Sequence, residues 1–134
     1  MGTQEKLKLE KIVDIFEAIK LVDELKLDFN LSYRLGRLQD RCKSIIRVYE
    51  GAQSKLQSEY AGRAIAMGEG ETEEEKAAIK EELKKLNAEF MAEINNLLQI
   101  EEEITVPELK LKDFQGKEVP AKFFSLMGDV IKED

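Results

Sequence analysis

The sequence predicts a mainly α-helical protein: a long antiparallel two-helix coiled-coil hairpin, braced by an N-terminal helix and a C-terminal extended segment with a short helix. The prediction rests on three observations. Leu31, Leu35, Leu38, Cys42, Ile45, Tyr49, Ala52 and Leu56 recur at alternating spacings of four and three, an a/d heptad seam along one helix. Ile79, Leu83, Leu86, Phe90, Leu97 and Ile100 give a second stretch with helical apolar spacing. Between them, Gly62, Gly68 and Gly70 form a breaker cluster that reads as the connecting turn.

In chain order, Leu9, Ile12, Val13, Phe16, Ile19, Val22 and Leu25 place an apolar stripe on a first helix, Glu5–Leu25. The period then changes. Leu25, Leu27, Phe29 and Leu31 alternate with polar residues, which reads as a short extended link. Asn30 or Ser32 then caps a second helix, Leu31–Tyr60, by accepting a backbone N–H bond from its first turn. Thr72 followed by Glu75 is a capping box for a third helix, Glu73–Glu102. Residues 103–112 alternate around Pro107 and read as extended, with the link at Leu25–Phe29 as a candidate pairing partner. Pro120 suits the first turn of a last helix over residues 120–132, with Phe123, Phe124, Met127, Val130 and Ile131 on its buried side. The length of 134 residues is that of a single helical domain.

The charges flanking the seam select one hairpin register. Setting Leu56 against Ile79, Tyr49 against Leu86 and Leu38 against Leu97 brings Lys55 near Glu82 and Arg34 near Glu103. In the same register Cys42 faces Glu93. Carboxylates are rarely buried unpaired, so that layer is expected to turn Ile94 inward and Glu93 outward. The alternative is a buried acid with a raised pKa.

Composition removes several kinds of chemistry. The chain has no histidine and Cys42 is its single cysteine. Intrachain disulfides, Cys/His zinc sites and Ser-His or Cys-His nucleophile pairs are therefore excluded. No cofactor or metal is expected, and isolated carboxylates on helix exteriors do not predict an enzyme. The net charge of −7 argues against nucleic acid and anionic membranes as partners. No run is apolar enough to span a bilayer and no signal-peptide pattern precedes the first helix, so a cytoplasmic setting is expected.

Within this acidic chain the second helix is basic. Arg34, Arg37 and Arg41 lie on neighbouring turns of one stripe beside Tyr33. Either these arginines neutralise the acidic third helix, or they hold a phosphate-bearing small ligand, with guanidinium forks on phosphate and the Tyr33 ring against a base. Arg37 points away from the paired flank and is not needed there. Ile65 and Met67, apolar residues in a polar stretch, either fold back on the hairpin or form a protein-docking tip. The Glu69–Glu75 run lacks the spacing of a calcium loop.

Taken in order, the amphipathic first helix, Leu31-Ser32-Tyr33-Arg34-Leu35, an acidic helix ending Ile94-Asn95-Asn96-Leu97-Leu98, then Glu103-Ile104-Thr105-Val106 and Pro107-Glu108-Leu109-Lys110-Leu111 form a series defined mainly by apolar spacing. The series resembles a group of small helical proteins encoded by tailed bacteriophages. The resemblance implies a viral accessory protein acting in the host cytoplasm, and it assigns no residue a role. The expected function is a non-enzymatic interaction protein that binds a host or viral protein, as an inhibitor or accessory factor, and is itself homo-oligomeric. Two other expectations stand beside it: a sponge that sequesters a nucleotide signal of host defence, and a virion assembly chaperone or minor structural protein.

Overall fold

The structure, a computed structural model, describes residues 2–133. Its mainly helical chain divides into two compact units, Met1–Arg47 with Gln99–Asp134, and Val48–Leu98. The longest helix supplies residues to both.

In the first unit, β1 (Thr3–Lys8) precedes α1 (Leu9–Val22). The helix expected to start at Glu5 thus starts four residues later, and the segment before it is a strand. β1 pairs antiparallel with β2 (Glu101–Val106), Thr3 opposite Val106 and Lys8 opposite Glu101. Gln-Glu-Lys-Leu has good intrinsic helix propensity. The sheet prevails because it pairs the backbone polar groups of β2, whose Ile104 and Val106 are buried, and sets Leu7 against the core. It also sets Lys6 opposite Glu103 and Lys8 opposite Glu101, and such cross-strand charge pairs favour this register. Glu103 thus faces Lys6 across the sheet, in place of the expected Arg34. The link at Leu25–Phe29 is no strand partner for β2. Its Leu25 and Leu27 pack against the core from an irregular connection.

α2 (Phe29–Ala66) starts where Asp28 Oδ1 accepts the Leu31 N–H at 2.8 Å. Asp28 is therefore the cap, and Asn30 instead accepts from Arg34 Nε at 2.9 Å. The helix passes through Gly62 and ends at Ala66, beyond the expected stop at Tyr60. One helical glycine costs only about 1 kcal/mol relative to alanine, too little to end a long helix. The turn is made by Gly68 and Gly70, whose φ values of 74° and 77° suit glycine.

Leu31, Leu35, Leu38 and Cys42, the first half of the heptad seam, are at most 3% exposed. They pack in one core with Ile12, Ile15 and Ile19 of α1, Ile104 and Val106 of β2, and the C-terminal Leu109, Phe114, Phe123 and Met127. This half of the seam serves a mixed core built from elements distant in sequence. The extended run expected over 103–112 ends at Val106, and a 3₁₀ turn occupies Leu111–Phe114. α4 (Ala121–Met127) follows Pro120 and stops at Gly128, with φ 55°, well short of residue 132. Phe114, Phe123 and Phe124 meet edge to face or tilted, with centroids 5.2–5.8 Å apart. Lys11 of α1 binds the exposed end of α4, its Nζ donating to the Leu126 and Met127 carbonyls at 3.1 and 2.8 Å.

In the second unit the rest of α2 runs antiparallel to α3 (Glu73–Leu98). Thr72 caps α3, its hydroxyl accepting the Glu75 N–H at 3.1 Å, while the Glu75 carboxylate reaches back to the Glu71 N–H at 2.8 Å. α3 ends at Leu98, short of Glu102, because the chain next enters β2. The register differs from the expected one. Tyr60 and Phe90 stack with centroids 5.4 Å apart, and Arg63 pairs with Glu89 at 3.4 Å. Leu86 lies in a crevice with Tyr60 and Ala64, more than a heptad beyond Tyr49. A heptad pattern leaves registers that differ by whole repeats nearly equivalent. The later turn at Gly68 and Gly70 selects among them, and Lys55–Glu82 is not among the ion pairs of the described residues. Ile94 is buried and Glu93 exposed, as expected, but the expected layer with Cys42 does not form: Cys42 belongs to the core of the first unit, and Glu93 interacts with Tyr60. Among the described residues no helix is long and apolar enough to cross a membrane.

Candidate functional site

Tyr33, Arg34, Arg37 and Arg41 occupy successive turns of α2 and line one concavity of about 270 Å³, closed by Gly2, Thr105, Pro107 and Glu108. α2 provides one wall and the end of β2 the other. The helix supplies the spacing and the strand end supplies carbonyl acceptors.

Each arginine has a distinct environment. Arg34 donates from Nη1 to the Glu108 carbonyl and lies 3.5 Å from Asp113 Oδ2. Asp113 is itself fixed by the Lys110 N–H at 2.9 Å. Arg41 donates from Nη1 to the Thr105 carbonyl at 3.1 Å. Arg37 donates from Nη1 to the Tyr33 hydroxyl at 3.0 Å, with its guanidinium carbon 5.9 Å from the ring centroid. The stripe therefore has a use that the sequence did not suggest. Two of its arginines fasten α2 to the end of β2 and to the segment after it, whereas the expectations were neutralisation of the acidic third helix or binding of a phosphate-bearing ligand.

The charge balance within the concavity is uneven. Arg34 has a carboxylate partner, whereas Arg37 and Arg41 have only neutral oxygens among the described residues. Glu108 turns its carboxylate to Lys110 Nζ at 3.3 Å. Tyr33 is 56% exposed, an open aromatic face at the rim. Gly2 was not singled out from sequence, where no signal marked it. A Cβ there would lie 2.9 Å from the Val106 carbonyl oxygen and 3.0 Å from the Thr105 methyl, so only glycine passes this close to the strand.

The second unit carries an apolar crevice of about 300 Å³ between α2 and α3, lined by Tyr60, Ala61, Ala64, Leu83, Leu86 and Phe90, with Gln57 and Asn87 at its edge. The small Ala61 and Ala64 leave it open, and Arg63 covers the Tyr60 ring at 4.9 Å. The hydrogen bond from the Tyr60 phenol to Glu93 raises its pKa above the ordinary tyrosine value, with desolvation adding to the effect. Of the expected docking pair, Ile65 is 79% exposed near the end of α2 and Met67 is half-buried in the turn. Neither lines the crevice. Phe90 was legible as an apolar periodic position and Tyr60 only as the expected end of the second helix; their pairing needed the true register.

Cys42 lies apart from both sites. Burial in the first core pushes its thiol up to about 12, which keeps it protonated and unreactive at neutral pH. No protein-family model, curated protein or solved structure matches this chain.

Proposed function

We propose that this chain is a non-enzymatic interaction protein that acts by laying its helical hairpin against an amphipathic helix of a partner protein. One observation carries the reading: the hairpin leaves much of its own apolar surface uncovered. Within Val48–Leu98 the buried residues are Tyr60, Leu86 and Ile94, whereas Val48, Ile65, Leu83 and Met91 are exposed at 76, 79, 40 and 57%. Helices with so little mutual burial gain stability from a further apolar surface. The open crevice beside Leu83 and Phe90 has the form of a groove that takes helix side chains at i, i+3 and i+4 spacing. A host protein in the cytoplasm, with the chain as a phage-type accessory factor, is the setting this reading favours. Self-association through the same face is its homo-oligomeric form.

The test compares the tagged chain with a Leu83→Glu, Met91→Glu variant whose helix content is verified by circular dichroism. The expected result is a stoichiometric protein partner, or a defined oligomer, seen with the parent chain and lost with the variant. A parent chain that stays monomeric and captures nothing, or a variant that behaves identically, overturns the reading.

A further inference from the structure

We infer that the concavity between α2 and the end of β2 is a binding site for a mononucleotide, with the phosphate on Arg37 and Arg41 and the base on the Tyr33 ring. This goes beyond the docking role of the hairpin and stands on other residues. The first argument is charge. On a chain of net charge −7, two guanidinium groups line one concavity without a carboxylate partner among the described residues. Surface arginines of an acidic protein have many carboxylates to choose from, so two left on neutral oxygens mark a place suited to an anion.

The second argument is preorganisation. The Thr105 carbonyl holds Arg41 by one N–H at 3.1 Å, which fixes the guanidinium while other N–H groups remain to donate. Arg37 is held by the Tyr33 hydroxyl and ring, and a phosphate oxygen replaces that exposed bond to a neutral oxygen with one between opposite charges. Arg34 is committed to Asp113 and the Glu108 carbonyl, so it shapes the wall and does not grip the anion.

The third argument is shape. Tyr33 presents an aromatic face at the rim, and stacking on such a face is tolerant of base identity. Glycine at position 2 lets the chain pass close against Val106 and Thr105 and so complete the lining of the concavity. A volume of about 270 Å³ is at the small end for ligand sites, which fits a mononucleotide and not a polymer.

Calorimetric titration of the full chain with the ribonucleoside 5′-monophosphates, adenosine and inorganic phosphate tests this at fixed ionic strength. A monophosphate is expected to bind, with adenosine and phosphate each at least about tenfold weaker. Arg37→Ala is expected to weaken the monophosphate by about tenfold or more, the scale of one charge-assisted hydrogen bond, with the melting temperature of the free chain unchanged. Tyr33→Leu is expected to weaken the nucleotide and leave the response to phosphate alone intact. Absence of binding by every monophosphate, equal affinity in Arg37→Ala, or phosphate binding as tightly as the nucleotide would each overturn the assignment.

Discussion

Arg41 on α2 donates a hydrogen bond to the carbonyl of Thr105 at 3.1 Å, joining the heptad-bearing helix to a strand 64 positions later in the chain. The bond ties down the C-terminal end of β2, while Arg34 holds the residues that follow it through Glu108 and Asp113. The first unit therefore depends on polar clamps as well as on its apolar core.

Replacing Arg41 with alanine is expected to lower stability by about 1–2 kcal/mol. A hydrogen bond from a charged donor contributes roughly 1.5–3 kcal/mol, reduced here because the side chain is half exposed. Urea denaturation of parent and variant measures the change in midpoint. An unchanged midpoint means that solvent replaces the clamp without loss.

The glycines are expected to respond with opposite signs. Gly128 has φ 55° and ψ −130°, a region that L residues avoid, and it ends α4 beneath the Lys11 ammonium. Gly128→Ala is expected to cost about 1–3 kcal/mol of backbone strain. Gly62 sits inside α2 with open space around it. Gly62→Ala is expected to stabilise by about 0.5–1 kcal/mol. Thermal melts followed at 222 nm give both values, and a destabilised Gly62→Ala would mean that the glycine is needed for something other than helix.

Phe90→Ala removes the ring that stacks on Tyr60 and leaves the crevice without one wall. The expected cost is about 2–3 kcal/mol, below that of a fully buried phenylalanine because Phe90 is only half-buried. Hydrogen exchange should show the loss as faster amide exchange along α3. Protection equal to that of the parent chain would show that the ring stack does not hold the hairpin.

Burial raises the Cys42 pKa from 9.0 to about 12. The folded state therefore retains a proton that the unfolded chain loses above pH 9. The stability from this group is complete below pH 9 and declines between pH 9 and 12, at no more than about 1.4 kcal/mol per pH unit. Cys42→Ala is expected to be less stable at neutral pH and to lose this part of the alkaline slope. Iodoacetamide is expected to label the thiol in urea and to leave the native protein unmodified. Rapid native labelling would contradict the burial.

Strong local signals were legible in the sequence. The capping residue Thr72, the start of α4 after Pro120, and the apolar spacing of α1, α2 and α3 follow from rules acting within a few residues. The outward Glu93 and inward Ile94 likewise follow from the cost of burying an unpaired carboxylate. The arginine stripe with Tyr33 was also visible, since residues three and four apart share a helix face. The wall opposite them was not. Gly2, Thr105 and Glu108 reach the site only through strand pairing and chain crossing.

The sequence by itself determined that this chain is mainly helical, where its long helices lie, and which arginines stand together on α2. Tertiary structure decided the rest. It turned residues 3–8 into a strand against local propensity, because pairing with Glu101–Val106 satisfies the backbone of both strands and sets Leu7 against the core. It also chose the hairpin register, which a repeating seam leaves nearly degenerate, through the left-handed glycines 68 and 70. Above all it divided α2 between two units. Leu31 to Cys42 entered a core with α1, β2 and α4, while Tyr60 and the residues around it met α3. Periodicity states which face of a helix is apolar. What covers that face depends on which distant segments bury the most surface against it.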